Sequence, residues 1–99
     1  MDLAWFQKRI AEIYLERDRA RGAARTYAWL VEEVGELSRA LRRDDRQNLQ
    51  EEFADALAWL VSLATLVDVD LEAVAHARYG DGCPKCGSSP CACGGEPEP

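Results

Sequence analysis

Residues 51–67, EEFADALAWLVSLATLV, decide the fold. They form a long apolar run that also contains acids, which such a run does not normally hold. From Phe53 onward the stretch has the composition of a buried helix. Asp55 nevertheless lies inside it, three residues after Glu52. Ionised carboxylates are rarely buried without a partner. The first question that this sequence raises is therefore what Asp55 binds.

Helical spacing of apolar residues continues on both sides of this stretch, which itself belongs to a predicted helix at about residues 47–67. Further helices are predicted at about residues 2–21 and 25–43, and a short fourth helix is predicted to be capped by Asp70 and to end at Tyr79. No segment alternates with a period of two for long enough to form a strand. The sequence therefore predicts an all-α bundle of about four helices.

Composition divides the chain at about residue 80. All four prolines, all four cysteines and five of the seven glycines lie in residues 80–99, whereas residues 1–79 contain no proline. We therefore expect residues 1–79 to form the helical domain. Residues 80–99 are expected to form a short cysteine-rich tail with a disordered end at GGEPEP, because they lack the apolar residues of a core.

Size and charge exclude several classes of protein. The chain has 99 residues, of which 47% are apolar and 30% charged, as in an ordinary globular domain. A formal net charge of −6 disfavours non-specific binding to nucleic acid or to an anionic membrane, because both need a basic surface. The start has no apolar core of a secretory signal, and the run from Phe53 to Val67 is shorter than the roughly 20 residues that span a bilayer. A cytoplasmic protein is expected.

The second and third predicted helices each carry two acids three residues apart, in a stripe beside the apolar face. A tryptophan lies at one end of each stripe, if successive residues are placed about 100° apart. Because the turn RRDDRQ is short, the two helices are expected to pack antiparallel, so that the stripes can face one another. The stripes are Trp29, Glu33 and Glu36 on one helix and Glu52, Asp55 and Trp59 on the other.

Most of these acids lack the local cations of an ordinary charged surface. Glu36 has Arg39 three residues on, but the other three acids have no basic residue three or four positions away. Four carboxylates about 5 Å apart would repel by roughly 3 kcal/mol per pair at an effective dielectric of 20. Either the acids point apart into solvent, or a cation holds them together. Oxygen ligands without His or Cys suit Mg²⁺ or Mn²⁺.

Two stretches carry these acids, WLVEEVGELSRAL at residues 29–41 and EEFADALAWLVSLA at residues 51–64. Together they closely resemble the MazG-like branch of the all-α nucleoside triphosphate pyrophosphohydrolases, and the resemblance covers residues 1–79. The E-x-x-E and E-x-x-D motifs of that family are both present, with fifteen residues between them. The matching acids are Glu33 and Glu36 in the first motif and Glu52 and Asp55 in the second.

The resemblance implies hydrolysis between the α- and β-phosphates of a nucleoside triphosphate, to a monophosphate and pyrophosphate, in the house-cleaning of the nucleotide pool. It implies that all four acids hold Mg²⁺ and that Glu33 or Glu36 acts as general base through a water molecule. It also implies a site at the interface of a homodimer or homotetramer. Trp59 falls where relatives carry an aromatic residue near the base, and Trp29 lies on the facing stripe.

Several alternatives stay open beside this interpretation. Phosphoribosyl-ATP pyrophosphohydrolases perform the same chemistry on a related helical frame. A helical binding or scaffold module with a zinc tail could keep the fold without the activity. Either tryptophan could be a core or interface residue instead of a contact of the base.

Positive charge for the phosphates is expected from arginine, because the chain has only two lysines. The stretch ERDRARGAAR supplies four arginines just before the acidic helix, and we select Arg25 among them. Arg78, at the end of the fourth predicted helix, is a comparable candidate.

The tail contains the sequence CPKCGSSPCAC, whose cysteines are spaced C-x₂-C-x₄-C-x-C. The opening C-P-x-C-G is typical of a zinc-knuckle turn, and four thiolates in eleven residues can close a tetrahedral structural zinc site. Because disulfides are disfavoured in the cytosol, zinc is preferred over a disulfide pair or a free, redox-active tail. The predicted zinc ligands are Cys83, Cys86, Cys91 and Cys93.

Overall fold

The computed structural model describes residues 1–95, which contain four α-helices and no strand. The all-α prediction is confirmed, and the helix ends differ from the predicted ones by two residues at most. Disorder was expected for GGEPEP, residues 94–99, of which residues 96–99 lie outside the described residues. The helices are α1 (Leu3–Arg21), α2 (Ala23–Arg43), α3 (Arg46–Leu66) and α4 (Leu71–Tyr79).

Aspartates begin three of the helices. The Asp2 carboxylate accepts a hydrogen bond from Trp5 N at 2.8 Å, and Asp45 and Asp70 cap α3 and α4 in the same way. Between α2 and α3 only Asp44 and Asp45 intervene, and Asp44 is left-handed at φ 54°. This short turn makes α2 and α3 antiparallel neighbours, and they form the most extensive helix pair of the fold. The predicted facing of their acidic stripes rests on this hairpin.

A buried polar network of hydrogen bonds joins α1 to α2. Gly22 ends one helix and begins the next at φ 87°, a backbone conformation that residues other than glycine rarely adopt. Its carbonyl accepts a hydrogen bond from the hydroxyl of Thr26, which is fully buried. Arg21 donates both to Thr26 Oγ1, at 3.2 Å, and to the buried Asp18, at 2.9 Å. This buried polar network therefore fixes Arg21 just before α2, the first helix of the α2–α3 hairpin.

The hydrophobic core of the single chain is small. Within residues 1–95, the buried apolar residues are Ile10, Ala40, Leu49, Val61 and Ala64. Much of the apolar stripes predicted on α2 and α3 lies open instead, with Tyr27, Val34 and Phe53 all more than half exposed. The helical faces predicted from the sequence are thus present, but this chain alone does not cover them. Exposed apolar side chains in such number are typical of a surface that binds a partner.

None of the four helices within residues 1–95 has the length and apolar content needed to cross a membrane.

Gln7 closes the turn between α3 and α4. Its amide nitrogen donates to Val69 O at 2.8 Å and Thr65 Oγ1 at 3.1 Å, while its amide oxygen accepts from Leu71 N at 3.0 Å. Replacing Gln7 with leucine keeps the bulk but leaves these backbone groups without their partner. We expect the free energy of unfolding to fall by about 2 kcal/mol, as measured by urea denaturation at fixed protein concentration. Lys8→Ala, on the exposed side of the same turn of α1, is the control. An equal loss of unfolding free energy in both variants would contradict this role of the Gln7 hydrogen bonds.

Candidate active site

The α2–α3 hairpin brings three acids together. One carboxylate oxygen each of Glu33, Glu52 and Asp55 lies within 4.8 Å of the others. Glu33 and Glu52 are half-buried, whereas Asp55 is exposed. The antiparallel packing therefore places acids from both predicted motifs in one cluster, which we call the acidic cluster.

The acidic cluster is electrostatically unsatisfied. Oε2 of Glu33 and Oε2 of Glu52 are buried and have no hydrogen-bond partner among residues 1–95. Burial, a hydrogen bond with Glu52 and the charges of Glu52, Asp55 and Glu36 together raise the pKa of Glu33 to about 7. Buried carboxylate oxygens without partners are strongly disfavoured. A cation or a proton is needed to stabilise this arrangement.

A divalent cation with a preference for oxygen fits the donor set of the acidic cluster. The three side chains offer only carboxylate oxygens, which suit Mg²⁺ or Mn²⁺ rather than zinc. Such an ion would also give a partner to the two buried oxygens of Glu33 and Glu52.

The fourth predicted acid, Glu36, lies next to the acidic cluster but not in it. Its Oε1 accepts a hydrogen bond from Arg39 Nη2, one turn further along α2. Both side chains are more than one-third exposed, so the pair contributes little to stability and can open without large loss. Its carboxylate does raise the pKa of Glu33, which shows that the two acids are close enough to interact.

A cavity of about 260 Å³ opens beside Asp55, between α1 and α3. It lies next to the acidic cluster, so a molecule bound in it could reach a metal held there. We call it the α1–α3 pocket. It is lined by Asp55, Ala58, Trp59 and Ser62 from α3 and by Ile10, Tyr14, Arg17, Asp18 and Arg21 from α1.

The two predicted tryptophans contact each other, and one of them lines the pocket. The rings of Trp29 and Trp59 are stacked, with centroids 6.0 Å apart and planes 17° apart. The Arg21 guanidinium lies over Trp59, 4.7 Å from the ring centroid. Trp59 lines the α1–α3 pocket, whereas Trp29 does not.

The two arginines selected from the sequence lie elsewhere. Arg25 is exposed on α2, and Arg78 lies over Tyr79 at the end of α4, 5.9 Å from the ring centroid. Neither lines the α1–α3 pocket, which instead contains Arg17 and Arg21.

Sequence reasoning included Arg17 and Arg21 among four candidate arginines, but it did not identify Asp18 or the other residues on the α1 side of the pocket. A signal was present, because Asp18 lies four residues after Tyr14 and eight residues after Ile10, on the same face of the helix. An acid on that face, with Arg21 three residues on, indicates a buried ion pair. The structure shows this pair.

The four cysteines of the tail form a second cluster, which we call the thiol cluster. Their Sγ atoms all lie within 4.8 Å of one another, and none is in a disulfide. Backbone N–H groups of Ala92 and Ser88 lower the pKa of the Cys86 thiol to about 6, while hydrogen bonds with the other thiols raise the pKa of Cys93 to about 12. The thiol cluster could hold a metal ion.

The fold and the acidic cluster define a class of protein, an all-α bundle in which a helical hairpin carries a cluster of carboxylates that could hold a metal ion. Residues 21–79 match the MazG nucleotide pyrophosphohydrolase domain, so more than half of the chain is matched and the chain belongs to that family. The resemblance of the two acidic stretches is thereby confirmed. A comparison with curated proteins gave no match. Families of this kind are typically metal-dependent, in agreement with the acidic cluster.

Proposed function

We propose that this protein is a Mg²⁺-dependent nucleoside triphosphate pyrophosphohydrolase that converts ribo- or deoxyribonucleoside triphosphates into the monophosphate and pyrophosphate. The observation that carries the proposal is the pair of buried, unpartnered oxygens of Glu33 and Glu52 beside a pocket that Trp59 lines. The family match supports the reaction class. A role in clearing unwanted nucleotides from the cytoplasmic pool is part of the proposal.

The proposed reaction is a displacement at the α-phosphorus. The oxygen of a water molecule bonds to that phosphorus while the bond to the oxygen bridging the α- and β-phosphates breaks, and pyrophosphate leaves. Glu33 or Glu36 accepts the proton of the attacking water. Glu33, Glu52 and Asp55 would hold Mg²⁺, with Glu36 as a further ligand after it leaves Arg39. When bound, the ion would neutralise charge on the phosphates and make the water more acidic.

Substrate contacts are proposed on the α1–α3 pocket. Trp59 would stack on the base, and the nearby Trp29 would hold Trp59 in orientation through their ring contact. Arg17 and Arg21 line the same pocket and can contact phosphate. Arg25 and Arg78 remain predicted phosphate ligands without a contact to the pocket.

Replacing Trp59 with alanine is expected to raise KM for the nucleotide about tenfold, with a smaller change in kcat. Stacking of a base on an indole contributes about 1–3 kcal/mol, and this contact is made in the ground state as well as in the transition state. Trp59→Phe should retain most of the affinity. Trp5→Ala, at a tryptophan outside the α1–α3 pocket, is the matched control. An unchanged KM in Trp59→Ala would place the base elsewhere.

A homodimer or homotetramer is proposed on the basis of the open apolar face of α2 and α3. Tyr27, Val34, Leu41 and Phe53 are each more than half exposed in the single chain. A second copy that covered this face would bury these side chains, which is the larger part of the driving force for association. Sedimentation equilibrium at micromolar concentration measures the state directly.

The proposed function is tested by pyrophosphate release from phosphoribosyl-ATP and from a panel of ribo- and deoxyribonucleoside triphosphates, with Mg²⁺ and with EDTA. Metal-dependent release would establish the activity, and the order of rates would name the preferred base and sugar. Release from phosphoribosyl-ATP alone would reassign the substrate. No release from any nucleotide and no effect of Mg²⁺ on the melting temperature would leave a helical binding module.

A further inference from the structure

The distances within the thiol cluster match those of a single tetrahedral metal site. Sγ of Cys83 lies 3.8 Å from Sγ of Cys93, and Sγ of Cys86 lies 4.0 Å from Sγ of Cys91. In a regular tetrahedron with metal–sulfur bonds of about 2.3 Å, the sulfur–sulfur edges are about 3.8 Å long. A disulfide would instead require a sulfur–sulfur distance of about 2.05 Å. Four thiols converge here on one point, without pairing.

The backbone around the thiol cluster is folded to support it. Gly87 N donates to Cys83 O at 2.6 Å and Cys83 N donates to Ser88 O at 3.0 Å, which closes the turn that carries the first two cysteines. Gly87 is at φ 73°, where glycine is favoured. Ala92 N lies 3.3 Å from Sγ of Cys86. Amide donors directed at sulfur stabilise a negatively charged thiolate, as metal ligation requires.

Nothing apolar holds this segment in place. None of residues 80–95 is buried, and the segment contributes no residue to the hydrophobic core of the domain. In a sixteen-residue segment without a core, packing does not offset the conformational entropy that is lost on folding. A metal ion that binds all four sulfurs would supply the missing stabilisation, as structural zinc does in small domains.

We propose that Cys83, Cys86, Cys91 and Cys93 bind one structural zinc ion, which folds residues 80–95. The four thiolates fill a tetrahedral shell and leave no open position, so the ion takes no part in catalysis. The site lies outside the matched family domain at residues 21–79. Its soft sulfur ligands also separate it chemically from the acidic cluster, because carboxylates prefer Mg²⁺ and thiolates prefer zinc.

The first test is metal analysis of the full chain after purification without added metal. We expect about one zinc ion per chain, its loss in Cys86→Ser and in Cys91→Ser, and its retention in Ser89→Ala, an exposed residue of the same loop. Asp55→Asn should also retain zinc, because the acidic cluster is a separate site. Iron in place of zinc, disulfides instead of free thiols, or zinc that persists in both cysteine variants would overturn the proposal.

Cobalt gives a second measurement that does not depend on a variant that folds. Co²⁺ added to the metal-free wild type should develop the intense visible bands of a tetrahedral tetrathiolate centre, and zinc should abolish them. Zinc should also protect all four thiols from a thiol reagent, while a chelator exposes them and leaves the circular dichroism of the helices unchanged. Weak octahedral cobalt bands, or equal thiol reactivity with and without zinc, would contradict a four-thiolate site.

Discussion

Replacing Asp55 with asparagine is expected to lower the rate of pyrophosphate release, at saturating nucleotide and Mg²⁺, at least about a hundredfold. Asparagine keeps the shape of the side chain but removes the charge that Asp55 contributes to the acidic cluster, where its oxygen lies within 4.8 Å of those of Glu33 and Glu52. Since Asp55 is exposed, the change leaves no cavity. The loss should therefore appear in kcat, with no loss of helical structure.

The matched control for this variant is Glu51→Gln. Glu51 is an exposed acid on the same helix, one position before Glu52, and it is not part of the acidic cluster. The Glu51→Gln substitution removes the same charge from α3 at almost the same place. Because Glu51 is outside the acidic cluster, this variant should retain nearly full activity. Equal rates in Asp55→Asn and the wild type would remove Asp55 from the site. Equal losses in both variants would show a general effect of charge instead of ligation.

Replacing Glu33 with glutamine is expected to stabilise the protein in Mg²⁺-free buffer at pH 8 by about 1–3 kcal/mol. The pKa of Glu33 is about 7 in the folded protein and 4.5 in the absence of its surroundings, so folded Glu33 holds its proton more tightly than unfolded Glu33. The stabilisation from this tighter proton binding is fully present below pH 4.5 and is lost as the pH rises through 7. The gain from the substitution should therefore vanish near pH 4.5.

Urea denaturation at several pH values measures this difference, with Glu32→Gln as the control at an exposed neighbouring acid. The thiol cluster is common to all three proteins, so its own pH dependence cancels in the comparison. Saturating Mg²⁺ should reverse the order at pH 8, because the wild type gains a ligand that the variant binds less well. A variant that is less stable than the wild type in Mg²⁺-free buffer at pH 8 would show that Glu33 is not strained by its neighbours.

The helices and the acidic cluster were predictable because each depends on local spacing. Acids three residues apart on two helices must share a face, and a turn of two residues brings the faces together. The pairing of Glu36 with Arg39 was visible as well, but spacing could not show which partner of Glu36 would prevail. The structure places this acid on its arginine.

The α1–α3 pocket was less predictable because it depends on how two helices distant in sequence pack together. Arg21 and Trp59 lie 38 residues apart in the chain, and the packing of α1 on α3, with the buried polar network at Gly22, places the guanidinium over the ring. Sequence spacing carries no information about such a contact. The sequence alone favoured Arg25 among the arginines, whereas the structure places Arg21 in the pocket.

The small core has a consequence for the amount of protein that a cell must maintain. In the proposed oligomer, a chain whose residues 1–95 bury only five apolar residues by themselves, and leave Tyr27 and Phe53 more than half exposed, would depend on association for much of its stability. For such a chain, folding and assembly form one equilibrium, and mass action makes the folded fraction rise with total concentration. The expression level then acts as a stability parameter: below a threshold abundance, the same sequence would be lost to proteolysis before it could act on any nucleotide.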